Sequence, residues 1–316
     1  MPSVRHEIAA RLVKAHPGSS MISIDAARLL MRDFSRLFPM PDGVEATEVR
    51  IGGNLEGEWL STAPEPLGNG PQGTGPLGTI LYLHGGGYCL GSIDSHRSLA
   101  ARLAAAAGCR ALLVDYRLAP EHPFPAALDD ARSAYDWLLR NGHQPRRLIV
   151  AGDSAGGGLT LAVLLSLKES GEPLPAGGLC FSPWTDLALT GSSATAGVIH
   201  DPMITREDAA MLAALYADGE DLENPLLSPL YADPSGLPRL LIQVGTRELL
   251  LDDALRFARS ARDRGVDVTL ETWPDLMHVW QIFAPMVPEA VEALADAGRW
   301  VRRTIAAQAS PERVSA

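Results

Sequence analysis

Gly152-Asp153-Ser154-Ala155-Gly156 reads G-x-S-x-G between a strand-like run, Arg147–Ala151, and a helix-like run, Gly158–Leu165. A serine on such a turn is pushed out of the sheet, its Oγ exposed and the next residue's N–H free to hold an anion. Glycines suit the flanks because side chains there would collide with the adjoining strand and helix. The chemistry is nucleophilic attack, and a free hydroxyl needs a base to perform it near neutral pH.

For a serine on an elbow of this kind, an acid and then a histidine follow along the chain. Of the eight histidines only His200 and His278 come after Ser154. His200 sits in a long irregular stretch and would need its acid among Glu169, Glu172 and Asp186. His278 lies in Trp273–Trp280, directly after a strand-like run, where a base on the carboxyl rim of a sheet belongs. Glu248 follows the strand-like run Leu240–Val244 and faces the same rim. Asp252 and Asp253 open the next helix-like run, a place where Asp usually caps free backbone N–H groups. The reading is therefore Ser154, Glu248 and His278, with Asp252 left as the rival acid.

A third motif, His84-Gly85-Gly86-Gly87, follows the strand-like run Thr79–Leu83. Consecutive glycines let backbone N–H groups point at a developing oxyanion, and this run accompanies the serine elbow in esterases and lipases. Gly85, Gly86 and Ala155 are the expected donors. His84 precedes the serine, so it braces the loop and is not the base.

These groups need a scaffold that brings their loops to one rim. Strand-like runs fall at Glu45–Ile51, Glu56–Thr62, Thr79–Leu83, Ala111–Val114, Leu148–Ala151, Gly178–Phe181, Leu240–Val244 and Val266–Thr272. From the third onward they alternate with helix-like runs, Ser95–Ala107, Pro125–Arg140, Ser154–Ser170, Asp252–Asp263 and Glu289–Ile305. That alternation predicts an α/β fold with a mostly parallel sheet and helices on both faces. Two amphipathic helices, Val4–Val13 and Ser23–Leu37, precede the sheet, and Leu187–Tyr231 interrupts it with a helix of its own at Arg206–Tyr216. Together they predict a helical cap. The division is 1–44 for the first cap helices, 45–186 and 232–316 for the α/β domain, and 187–231 for the cap insertion. Residues 63–78 read as a Pro/Gly surface loop, and the tail after Ala306 as frayed.

Net charge of −11 argues against nucleic acid or anionic membrane as a partner, since those need clustered Lys and Arg. Cys89, Cys109 and Cys180 are odd in number and lack metal-ligand spacing, so they read as buried apolar residues in a reducing compartment. The first residues lack an apolar leader-like stretch and no run is long enough to span a bilayer, so a cytoplasmic protein without stable membrane association is expected.

The chain resembles the hormone-sensitive-lipase-like, bacterial family IV branch of the α/β-hydrolases. Three motifs carry the resemblance: His84–Gly87; Asp115–Glu121 followed by Phe124–Ala127; and Gly152–Gly157. It covers roughly residues 45 to 306. It implies an α/β-hydrolase fold with an eight-stranded sheet, a helical cap, and carboxylesterase activity on short- to medium-chain acyl esters without cofactor or metal. Many relatives carry Asp where this chain has Glu248, which keeps Asp252 in play. Within Asp115–Glu121, Arg117 and Glu121 are expected to brace the glycine loop.

A lactone hydrolase would use the same machinery, and a non-catalytic small-molecule receptor would use the same scaffold. Intact Ser154, Glu248 and His278 favour the enzyme. Cap residues expected near the pocket mouth are Phe34, Leu37, Tyr88 and Met203, with Met211, Leu212 and Leu215 on the insertion helix. The last strand, residues 266–272, would be an exposed edge, and relatives often pair there, so a homodimer is expected.

Overall fold

The computed structural model describes residues 2–15, 22–62, 76–195 and 198–309. Most of the expected Pro/Gly loop and the residues after 309 lie outside that set. Eight strands form one sheet in the order β1-β2-β4-β3-β5-β6-β7-β8. They are β1 Glu45–Gly52, β2 Leu55–Ser61, β3 Thr79–Leu83, β4 Arg110–Val114, β5 Leu148–Asp153, β6 Gly177–Phe181, β7 Arg239–Gly245 and β8 Val268–Trp273. β1 and β2 are antiparallel to their neighbours and the rest run parallel. The central strands are buried along their whole length, as continuous apolar runs covered on both faces should be.

Helices close both faces. On one, α4 (Ala126–Arg140), α5 (Ala155–Glu169) and α7 (Leu251–Asp263) pack Tyr135, Leu138, Leu161, Leu164 and Phe257 into a core with Leu81 and Val150. On the other, α3 (Ile93–Ala107) and α8 (Pro288–Ala309) pack Leu99, Leu103, Leu294 and Val301 against Ile80, Ile149 and Leu241. α5 is apolar nearly all round and almost wholly buried, which fits a helix enclosed by sheet and neighbours. The first helices, α1 (Val4–Lys14) and α2 (Ile24–Ser35), and α6 (Arg206–Ala217) between β6 and β7 complete the set.

Many boundaries shift by a residue or more from the sequence reading, two of them near the carboxyl-terminal end of the described residues. Val266 is not in the last strand: its amide donates to Ala261 O at 3.0 Å, closing the end of α7, and Gly265 takes the positive φ that this turn requires. The helix expected to fray after Ala306 continues to Ala309.

β3 lies between β4 and β5, so the chain leaves β3 in one direction and returns on its other side. Loops at the carboxyl ends of such a pair diverge and leave a crevice. Register does the rest. Leu83 pairs with Gly152, Asp153 with Phe181, and Gly245 with Trp273, so the loops after β3, β5, β6, β7 and β8 emerge along one rim.

Candidate active site

Ser154 sits between β5 and α5 at φ +53, ψ −122, and its amide donates to Phe181 O at 2.8 Å. Left-handed backbone at a serine persists only where the surroundings impose it. Here a Cβ on Gly156 would strike the Leu83 carbonyl and one on Gly152 would strike Gly156 O, so strand and helix pass too closely for side chains.

The Ser154 hydroxyl stands 2.9 Å from His278 Nε2. His278 Nδ1 stands 3.1 Å from Glu248 Oε2. A carboxylate only accepts, so Nδ1 carries the proton and Nε2 is left to accept from Ser154. The other Glu248 oxygen accepts from the Gly245 amide at 2.6 Å and the Ser182 hydroxyl at 2.8 Å. Glu248 is fully buried and His278 nearly so. Burial opposes charge on the imidazole, but the Glu248 bond and charge, with Asp201 and Asp153 beyond, outweigh it and raise the His278 pKa above 6.5.

The rival acid lies elsewhere. Asp252 Oδ2 accepts from the Ser193 amide at 3.0 Å, and Asp253 Oδ2 accepts from Thr185 and Asp186 at 2.8 Å each. Contrary to the sequence reading, neither caps α7: that helix begins without a side-chain cap, and both carboxylates tie it to the segment after β6. His200 is exposed.

The glycine loop corrects one assignment. The Gly85 amide donates to Asp153 Oδ1 at 3.2 Å and is therefore occupied. Gly86 and Gly87 line the cavity over Ser154, both with positive φ, and among the described residues their amides and that of Ala155 have no protein acceptor. The triplet available to an oxyanion is thus Gly86, Gly87 and Ala155. Asp153 also accepts from the Tyr82 hydroxyl at 2.8 Å and stands 3.3 Å from His96 Nε2. Burial opposes its charge, but His96 and Tyr82 outweigh that and keep its pKa low. His84 donates from Nδ1 to Gly85 O at 2.8 Å and stacks on Tyr116, and burial pushes its pKa down to about 3. It is a neutral brace, in line with its expected part.

Arg117 and Glu121 do not brace this loop together. Arg117 pairs with Asp130 on α4, while Glu121 takes both terminal nitrogens of Arg28 at 2.7 Å. Arg28 also donates to Cys89 O and Ala119 O, so the motif pins α2 onto the loops below it.

An apolar cavity of about 240 Å³ opens over Ser154. Phe34, Met203 and Leu212 line it; Leu37, Tyr88, Met211 and Leu215 do not. Leu37 is 59 % exposed beyond the end of α2. Tyr88 is buried in a stack on Tyr216, with ring centroids 3.8 Å apart. Met211 and Leu215 are partly buried against the core cluster on the α4, α5 and α7 side of the sheet. The walls instead recruit Val13 from α1, Ile22, Leu30 and Met31 from in or beside α2, and Ile204 and Ile282.

Asp201 also escaped the sequence reading, since an Asp-Pro pair in an irregular loop carries no motif. Its carboxylate accepts from Leu249 N at 2.9 Å and Met203 N at 2.8 Å, joining the β6–β7 segment to the loop that bears Glu248. Burial raises its pKa to about 6, His278 pulling it down and Glu248 pushing it up. Ser182 and His6, which hold the amides beside His278, were equally silent.

Comparison with known proteins settles what this arrangement belongs to. The family described as alpha/beta hydrolase fold matches residues 80–282. A crystal structure of an esterase from the bacterial hormone-sensitive lipase family superposes with a TM-score of 0.89 at 43 % identity, covering 96 % of this chain and 99 % of that one. The chain belongs to the hormone-sensitive-lipase-like (family IV) esterases. An acetyl-hydrolase from Streptomyces hygroscopicus is 44 % identical over 260 residues, 82 % of this chain and 84 % of the relative. The EstE5 structure soaked with p-nitrophenyl butyrate gives a TM-score of 0.87 at 40 % identity, covering 96 % and 99 % of the two chains. This family IV member is a carboxylic ester hydrolase. Among its described residues no helix is long and apolar enough to cross a membrane.

Proposed function

We propose that the protein is a serine carboxylesterase for short- to medium-chain acyl esters, working through an acyl-enzyme. Ser154 Oγ attacks the ester carbonyl carbon while His278 Nε2 takes its proton, and Glu248 orients the ring and stabilises its charged form. The carbonyl oxygen becomes an oxyanion held by the Gly86, Gly87 and Ala155 amides. Collapse breaks the bond to the alcohol oxygen, which leaves with the proton from His278. Water then attacks the acyl carbon, gives its proton to His278, and the acid departs as Ser154 regains its hydrogen.

The observation that carries this reading is the unbroken hydrogen-bonded chain from Glu248 through His278 to Ser154, beside three amides without acceptors among the described residues. The apolar cavity supports an acyl chain as the bound group, and the relative soaked with p-nitrophenyl butyrate supports a short one. The cap of this reading is residues 1–44 with 187–231. A homodimer through β8, the terminal strand of the sheet, and a cytoplasmic setting complete it; the three free, buried cysteines support the latter.

The test pairs turnover on p-nitrophenyl esters from acetate to dodecanoate, and on lactones of several ring sizes, with organophosphate labelling. The expected result is a maximum at short to medium linear chains and one phosphoryl group on the peptide containing Ser154. Failure to label removes the nucleophile. Lactones hydrolysed ahead of every linear ester would replace the substrate class.

A further inference from the structure

The loop that carries His278 turns through two left-handed non-glycine residues, Asp275 at φ +59 and Val279 at φ +45. Backbone in that region persists only when its surroundings hold it. The amides either side of His278 are each held by a side chain. Val279 N–H donates to Ser182 Oγ at 3.2 Å, and Met277 N–H donates to His6 Nε2 at 3.1 Å. Ser182 belongs to the rim of the sheet, whereas His6 comes from α1, 271 positions away along the chain.

His6 is fully buried. Because Nε2 accepts, the proton of the neutral ring sits on Nδ1, which lies 3.8 Å from Glu7 Oε1 and has no hydrogen-bond partner among the described residues. The charged groups facing the ring are Glu7 on its own helix, Glu289 on α8 and Arg247 after β7. Burial and Arg247 prevail over the two carboxylates, so the ring stays neutral and able to accept. α1 is itself tethered near both loops of interest. Ser3 donates from its amide and hydroxyl to Glu289, and Glu7 pairs at 3.3 Å with Arg247, the residue before Glu248. The same helix places Val13 on the cavity wall.

We propose that His6 is a positioning residue for ester hydrolysis: by accepting the Met277 amide it fixes the loop that aims the His278 imidazole at Ser154. The proposal rests on the assignment of Ser154 and His278 above. It gives α1 a part in turnover as well as in enclosing substrate, since an imidazole misplaced by about 1 Å costs on the order of 100-fold in rate.

Two substitutions separate aim from packing. His6→Leu fills the site with an apolar side chain and removes the acceptor; His6→Gln sets an amide oxygen where Nε2 lies. Each is measured for kcat and KM on p-nitrophenyl butyrate, for melting temperature, and for hydrogen exchange of the peptide spanning residues 274–282. For His6→Leu the expected result is kcat down about tenfold, KM within about twofold, and faster exchange of that peptide. His6→Gln should return kcat and protection to wild-type values. Wild-type kcat and protection in His6→Leu would overturn the proposal, as would kcat and melting temperature falling together in both variants. If His6→Leu does not fold, His6→Gln alone decides, and a loss of kcat there sinks the idea. A wild-type protein that neither turns over esters nor labels at Ser154 fails the hydrolase reading instead, while the exchange comparison still tests the clamp.

Discussion

Two histidine–carboxylate pairs flank Ser154, and they do different work. His278 and Glu248 are 3.1 Å apart; His96 and Asp153 are 3.3 Å apart; all four are buried. The first pair leaves one imidazole nitrogen facing the Ser154 hydroxyl. In the second, the outer nitrogen of His96 is taken by Ser95 Oγ at 2.7 Å, and the carboxylate is spent on Tyr82 and the Gly85 amide. One pair is left with a nitrogen able to move a proton; in the other the polar atoms already have partners, and it holds a loop in shape. Residue type does not separate them; what each ring has left to bond does.

The largest way to break this contrast is to remove the group that only one pair reaches. Ser154→Ala should lower kcat by at least about 10⁴-fold with an unchanged circular dichroism melt. Substantial residual turnover would take Ser154 out of the reaction. Next comes the acid. Glu248→Gln should cost about 10³-fold in kcat, because a neutral partner no longer stabilises the imidazolium, while Asp252→Asn stays within about twofold. The reverse order, read from steady-state rates, would hand the role to Asp252.

The closed pair should respond in another currency. Asp153→Asn keeps an acceptor but loses the charge, so a stability loss of about 1–3 kcal/mol is expected from denaturant melts, with kcat down only about tenfold. A loss matching that of Glu248→Gln would mean both pairs act on the proton.

The smallest effect is a shift in pH dependence. His278 must be neutral to accept from Ser154, and its pKa lies above 6.5, so activity is lost as pH falls through that raised value. The acid limb of kcat/KM should have its midpoint above pH 6.5 in the wild type and move downward in Glu248→Gln, where the carboxylate that raises it is gone. An unmoved midpoint would show that another group sets the limb.

Much of this site is legible in the order of residues. The serine elbow, the glycine run and the strand–helix alternation are short-range patterns, and steric rules for tight turns and for sheets covered on both faces tie them to backbone shape. Strand register then makes the meeting of Ser154, Glu248 and His278 follow from where each loop leaves the sheet. The cavity wall was harder. Phe34, Met203 and Leu212 line it, but Leu37, Tyr88, Met211 and Leu215 do not, because an apolar side chain says nothing about which surface meets it: Leu37 stays exposed, Tyr88 stacks on Tyr216, and Met211 and Leu215 join the main core.

The sequence by itself determined the nucleophile's turn, the candidate base and acid, and the parallel scaffold, since each rests on a local turn, on one repeating period, or on the order in which loops follow strands. Tertiary structure alone decided that Gly85 is taken by Asp153, freeing Gly87 in its place, and that Arg117 and Glu121 part company to reach Asp130 and Arg28. It alone brought His6 beneath Met277. Hydrogen bonds are a few ångströms long and each N–H has a single proton to give, so which acceptor wins depends on packing between segments that sequence order leaves far apart.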